Sequence, residues 1–190
     1  MHKLLSDHRA MRAAALVLFV ALLAGCVAAE RALSVSTSEP LGIEDGYVPK
    51  GEPLSPFADD MPAIARLDPA LREAMQAAAT AAIADGVDFV VTSGWRSARY
   101  QQWLFDKAVR DYGSVEEARR WVASATASSH VTGHAVDIGF TDANSWLSQH
   151  GARYGLCQTY ANEMWHFELA TTPGGDCPAQ LLDASELHDH

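Results

Sequence analysis

The sequence predicts an α+β fold, a small, mainly antiparallel sheet with flanking helices. Three observations lead there. Apolar repeats of helical period come first, β-rich runs cluster late, and no regular βαβ alternation joins them.

The chain opens on a targeting segment rather than a fold element. His2, Lys3, Arg9 and Arg12 form a basic start, and Ala13 to Ala24 is an apolar run too short to span a bilayer as a mature helix. The run ends in Leu23-Ala24-Gly25-Cys26, which resembles a bacterial lipobox. Residues 1–25 therefore read as a lipoprotein-type signal peptide, with Cys26 carrying the lipid. Export to the cell envelope follows, with lipid anchorage to the outer face of the membrane. An ordinary signal peptide cut after Ala29, giving a secreted protein, is the alternative.

Residues 26–56 hold Ser, Thr, Pro and Gly without a sustained apolar period and are expected to form a flexible tether. A linker of about 30 residues reaches roughly 30 Å. The domain is expected at 57–182, followed by a frayed tail at 183–190.

Charge excludes one class of partner. Removing Lys3, Arg9, Arg12 and Asp7 with the signal peptide takes the chain's 14 basic and 24 acidic residues to 11 and 23, net −12. Such a chain does not bind nucleic acid, whose phosphates demand a basic face. Nor does it dock on anionic headgroups by charge; lipid is its route to a membrane.

Within the domain, Asp68-Pro69 reads as an N-cap followed by Pro at the first helical position. Leu71, Met75, Ala78, Ala79 and Ala82 recur at helical spacing until Gly86. Residues 87–92 are β-rich. A second helix is expected from Ser97 to Tyr112, ended by Gly113, and the capping box Ser114-Val115-Glu116-Glu117 opens a third through Trp121. Residues 135–140 read as a strand. Residues 144–150 read as a short helix capped by Asp142 and ended by Gly151, and 165–169 as the last strand.

Cys157 and Cys177 remain in the mature part. In an exported protein an isolated pair is expected to form a disulfide; two buried thiols or soft metal ligands are the alternatives. A bridge would close a loop of about 20 residues, contributing on the order of 3 kcal/mol in the chain-entropy model. That loop contains Glu163 and His166.

Three residues carry the functional reading: His130, Asp137 and His166. Two imidazoles and a carboxylate suit Zn²⁺, and three protein ligands leave a tetrahedral ion one open position, as in catalytic sites. Gly133 and the β-branched Val131, Thr132 and Val136 disfavour a helix, so a loop carries His130 into a strand carrying Asp137. A carboxylate among apolar neighbours needs a partner: a metal, a backbone donor or an Arg. Glu163 and His166 lie three apart and face opposite sides of an extended segment, so a bend is required near Met164-Trp165. Arg96 sits at a helix N-terminus, where partial positive charge already resides; an anionic ligand or a surface salt bridge would relieve this. His134, His150, His188 and His190 receive no role.

The motifs resemble the VanY-type zinc D-alanyl-D-alanine carboxypeptidases, which share a fold with the VanX dipeptidases and the amino-terminal domain of hedgehog proteins. The family shows Ser-Gly-Tyr-Arg-Ser with a Gln five after the Arg, then Ser-x-His-x-x-Gly-x-Ala-x-Asp, then Glu-x-Trp-His. Here these are Ser93 to Ser97 with Gln101, Ser128 to Asp137, and Glu163 to His166, with Trp95 replacing Tyr and Met164 standing where Pro is common. The resemblance implies a hedgehog/D-Ala-D-Ala peptidase-like fold and one Zn²⁺ per chain on His130, Asp137 and His166. It implies Glu163 as general base and then acid. It also implies Arg96, Gln101 and Ser128 as holders of the substrate's terminal carboxylate, with Arg96 assisting at the oxyanion. The implied substrate is a peptidoglycan stem peptide ending in D-Ala, and a monomer is expected. An endopeptidase or dipeptidase of the same fold, and a non-catalytic wall-binding module, are the alternatives.

Overall fold

The computed structural model describes residues 41–188. The signal peptide at 1–25, Cys26, residues 27–40 of the expected tether, Asp189 and His190 lie outside the described residues.

The helices begin where their caps dictate. After a one-turn helix α1 (Pro62–Ala65), Asp68 accepts hydrogen bonds from the amides of Ala70 (2.9 Å) and Leu71 (3.2 Å) and opens α2, Pro69–Ala84. Ser97 caps α3 (Ala98–Tyr112) by accepting from the Tyr100 amide at 3.0 Å. Ser114 does the same for α4 (Val115–Arg119) through the Glu117 amide. That helix ends before Trp121, two residues earlier than its pattern suggested. The fifth helix, α5 (Thr141–His150), starts earlier than expected: Phe140 is its N-cap, and Asp142 lies inside the first turn rather than capping it.

Four short strands form one antiparallel sheet: β1 Val90–Ser93, β2 Ala135–Gly139, β3 Leu156–Gln158 and β4 His166–Leu169, in the order β1-β2-β4-β3. The expected α+β architecture holds. β3 carries no signal in the sequence, because three residues are too few for an alternation to read. One face of the sheet, with Val91, Val136, Ile138 and Phe167, joins the core with Leu71, Met75, Ala78, Ala79 and Ala82 of α2 and Leu147 of α5. Phe167 is fully buried there, and truncating it to Ala costs about 3–5 kcal/mol. The other face carries the polar side chains described below.

Two boundaries need correction. Residues 41–56, expected as tether, are packed on the domain. Leu54 exchanges both backbone hydrogen bonds with Val91 at 2.8 Å, and Asp45 is buried against Ser97 and Arg99 at the start of α3. A Pro/Gly/Ser-rich composition reports the lack of local periodicity, not the lack of distant partners. Likewise 183–188 is no frayed tail. Asp183 and Ala184 are buried, Arg120 donates to Asp183 at 3.1 Å, and Ala184–His188 forms a 3₁₀ turn. Cys157 and Cys177 are joined, with Cα atoms 5.7 Å apart, which selects the disulfide over the two alternatives.

Candidate active site

Strand register builds the centre of the site. In the β2–β4 pair Asp137 lies opposite His166 and Ala135 opposite Glu168. With a side-chain period of two, all four share the face turned away from Val136, Ile138 and Phe167. The third residue, His130, arrives on the 128–134 loop, and its ring meets the turn after β1; each of the two segments depends on a glycine. Gly133 has φ +77°, and a Cβ there would stand 2.6 Å from the Arg66 carbonyl. At Gly94 a Cβ would stand 2.1 Å from the Ala63 carbonyl, so only glycine lets that turn approach α1.

Glu163 reaches the same point through the bend its spacing demanded. The His166 amide donates to the Glu163 carbonyl at 3.1 Å, Met164 and Trp165 are turned out to solvent, and Glu163 Oε2 comes within 3.8 Å of His166 Nδ1. Met164 in place of a common Pro does not prevent this turn.

Hydrogen bonds fix which ring atoms face inward. His130 Nδ1 donates to the Gly94 carbonyl at 2.8 Å, leaving Nε2 for the site. His166 Nε2 donates to Glu168 Oε1 at 2.9 Å, leaving Nδ1. Both inward nitrogens lie 3.3 Å from Asp137 Oδ1. Yet Asp137 Oδ1 and His166 Nδ1 are buried without a hydrogen bond. One donor atom from each of the three residues falls within 4.8 Å of the others. Buried polar atoms left unpaired are costly. A cation at their meeting point is what this donor set fits, and its N/O character is that of a borderline divalent ion.

Charge is distributed unequally. Burial opposes ionisation of Asp137, but His130 and Arg96 beside it hold its carboxyl well below the usual range. Burial, reinforced by Arg96, lowers His130. For His166 burial is outweighed by the carboxylates of Asp137 and Glu168, which push it up to about 9. Glu163 goes the other way: burial first, then the charge of Asp137 against the relief from His166, raises it to about 7. A carboxylate tuned near neutrality is suited to accept and return a proton.

Arg96 settles a choice the sequence left open, in neither form expected. Its Nη2 donates to Asp137 Oδ2 at 2.6 Å, Nη1 to Gln101 Oε1 at 3.1 Å and Nε to Ser93 Oγ at 2.8 Å. The salt bridge is therefore buried and grips a site residue. Two of the guanidinium's five N–H groups remain for a ligand in the cleft it lines. Gln101, expected as a substrate contact, is 1% exposed, and its amide is used on Arg96 and on the Ala123 carbonyl. It orients the arginine. Ser128 lines the cleft beside His130.

Three residues of the site went unread in the sequence. The Tyr160 ring lies tilted against the His166 ring, centroids 4.8 Å apart, and lines the cleft; burial and the nearby Glu168 and Glu163 raise its phenol, keeping it neutral. No spacing signals it. Ser129 donates to Glu168 at 2.7 Å. Glu168 did have a signal: two residues after His166 on a strand, it must share that residue's face.

Comparison with known proteins identifies the family. The model of the VanY family, D-alanyl-D-alanine carboxypeptidase, matches residues 64–171. A D-alanyl-D-alanine carboxypeptidase of Enterococcus faecalis is 32% identical, over 54% of this chain and 47% of its own length. The chain thus spans about half of that relative. Among solved structures, VanYB in complex with D-alanine-D-alanine is 29% identical with a TM-score of 0.51, covering 54% of this chain and 70% of that one. A zinc complex of a mutant VanY, a vancomycin-resistance D,D-pentapeptidase of a VanB-type cassette, is 28% identical with a TM-score of 0.51, covering 57% and 73%. With residues 64–171, more than half of its length, matched by that family's model, this chain belongs to the VanY family of D-alanyl-D-alanine carboxypeptidases.

Proposed function

We propose that the protein is a zinc-dependent carboxypeptidase that removes the C-terminal D-Ala from peptidoglycan stem peptides or their precursors. The observation that carries the reading is the convergence of His130 Nε2, His166 Nδ1 and Asp137 Oδ1 beside a carboxylate, Glu163, raised to about 7. The names of the relatives supply the substrate class: one is a D-alanyl-D-alanine carboxypeptidase and another was solved with D-alanine-D-alanine.

His130, Asp137 and His166 would hold the ion. Bound zinc supplies Lewis acidity, lowering the pKa of water to about 7 and polarising a carbonyl. The chain's own groups do the rest. Glu163 takes the proton of the attacking water at its carboxylate and returns it to the leaving amine of D-Ala. Arg96, held by Gln101, Ser93 and Asp137, offers its two free N–H groups to an oxyanion or to the terminal carboxylate. Ser128 offers a hydroxyl in the same cleft.

The test is incubation of the metal-loaded protein with a pentapeptide stem ending in D-Ala-D-Ala. Release of free D-Ala, abolished by a chelator and restored by zinc, is the expected result. Release of D-Ala-D-Ala or of internal fragments would assign the activity to a dipeptidase or endopeptidase instead.

We further propose that the mature protein is held by lipid on Cys26 at the outer face of the membrane, on the strength of Leu23-Ala24-Gly25-Cys26. Cys26→Ser should move it from the membrane fraction to the soluble fraction; unchanged fractionation counts against the anchor.

A further inference from the structure

We infer that Glu168 is a positioning residue for the metal centre: its carboxylate orients His166 and, through Ser129, ties together the two segments that carry the histidine ligands. The inference rests on the metal-binding reading above. Three observations support it. Glu168 Oε1 accepts from His166 Nε2 at 2.9 Å, which turns Nδ1 towards Asp137 and His130. The same oxygen accepts from Ser129 Oγ at 2.7 Å, and Ser129 directly precedes His130. Opposite Glu168 in the β2–β4 register stands Ala135, whose single methyl leaves room for the carboxylate on the ligand face.

One oxygen thus bridges strand β4 and the 128–134 loop. Without it the His166 ring loses the acceptor that selects its tautomer, and the loop bearing His130 loses a tie to the strand bearing His166. Each loosened ligand must be re-ordered when the ion binds. A carboxylate on the outer nitrogen also makes a ligating imidazole more basic, and loss of such a partner typically weakens metal binding 10–100-fold.

The test compares full-length wild type, Glu168→Gln, Glu168→Ala and Ser129→Ala by competition for zinc against a chromogenic chelator, with melting of the metal-free forms measured alongside. Glu168→Ala should weaken zinc binding by about 10–100-fold. Glu168→Gln, whose amide oxygen still accepts from both partners, should retain most of the affinity, and Ser129→Ala should fall between. ¹⁵N shifts of His166 in the zinc-loaded protein add a readout that a purely structural role would not move. Wild type should show one tautomer, protonated at Nε2, and Glu168→Ala a weakened preference. If Glu168→Ala fails to fold, the graded affinities of Ser129→Ala and Glu168→Gln carry the test. Wild type that binds no zinc overturns the metal-binding reading itself. Wild type that binds zinc while every folded variant binds equally well overturns the role of Glu168 alone.

Discussion

Asp137 and His166 face each other across the β2–β4 pair, and Asp137 Oδ1 lies 3.3 Å from His166 Nδ1 without forming a hydrogen bond. The opposite oxygen of the same carboxylate is taken by Arg96. Asp137 therefore serves two sides, and its removal should separate two effects. Asp137→Ala should abolish stoichiometric zinc binding. It should also destabilise the metal-free protein by about 3–5 kcal/mol, because Arg96, whose side chain is 14% exposed, loses its buried counter-charge. Denaturant titration in chelator measures the second effect apart from the first.

Glu163 lines the cleft without holding the other residues of the site together. Glu163→Ala should lower turnover by roughly 10²–10⁴-fold, the usual contribution of a positioned acid–base group. Zinc content should stay near one per chain. Metal analysis and D-Ala release on the same sample check both, and surviving activity removes Glu163 from the role of base.

Gly133→Ala should destabilise the protein by at least about 1–3 kcal/mol, the cost of a left-handed backbone for a residue with a Cβ. The added carbon would also meet the Arg66 carbonyl at 2.6 Å. Since the loop carries His130, zinc affinity should fall with stability. Thermal melting with and without zinc tests the pair of effects.

The segment before the expected domain start has its own test. Burial opposes ionisation of Asp45, yet Arg99, Ser97 and the Gly42 amide hold its carboxyl below the ordinary range. Such a group contributes stability that is fully present above its unfolded pKa of about 3.9 and is lost as pH falls through the lower folded value. Asp45→Ala should cost about 2 kcal/mol at pH 7, as Arg99 is partly exposed and can turn to water. The difference from wild type should shrink in acid. A chain begun at Phe57 should show at least the same loss.

Reduction of the Cys157–Cys177 bridge, or a Cys157→Ser/Cys177→Ser double variant, should lower stability by about 3 kcal/mol. Chemical denaturation with and without reductant reads this directly.

Residue pattern exposed a good part of this architecture, and physics accounts for the division. Asp68, Ser97 and Ser114 act through the next few amides, so three helix starts were legible from neighbours alone. Leu71, Met75, Ala78, Ala79 and Ala82 are buried as their spacing indicated. The meeting of His130, Asp137 and His166 was legible through short motifs whose chemistry is specific. Gln101 lines the cleft as expected, but its hold on Arg96 was not legible, because a polar residue in a motif gives no sign of which neighbour its amide will meet. Asp45 and Asp183 find their partners more than fifty residues away, at Arg99 and Arg120. No local composition encodes such a pairing, and so both domain edges were drawn too tightly.

The most direct test of the account is an anomalous-scattering experiment at the zinc edge on crystals of the metal-loaded protein. One peak per chain is expected, within about 2.0–2.2 Å of His130 Nε2, His166 Nδ1 and Asp137 Oδ1. Absence of that peak, or zinc bound only elsewhere on the chain, would contradict it.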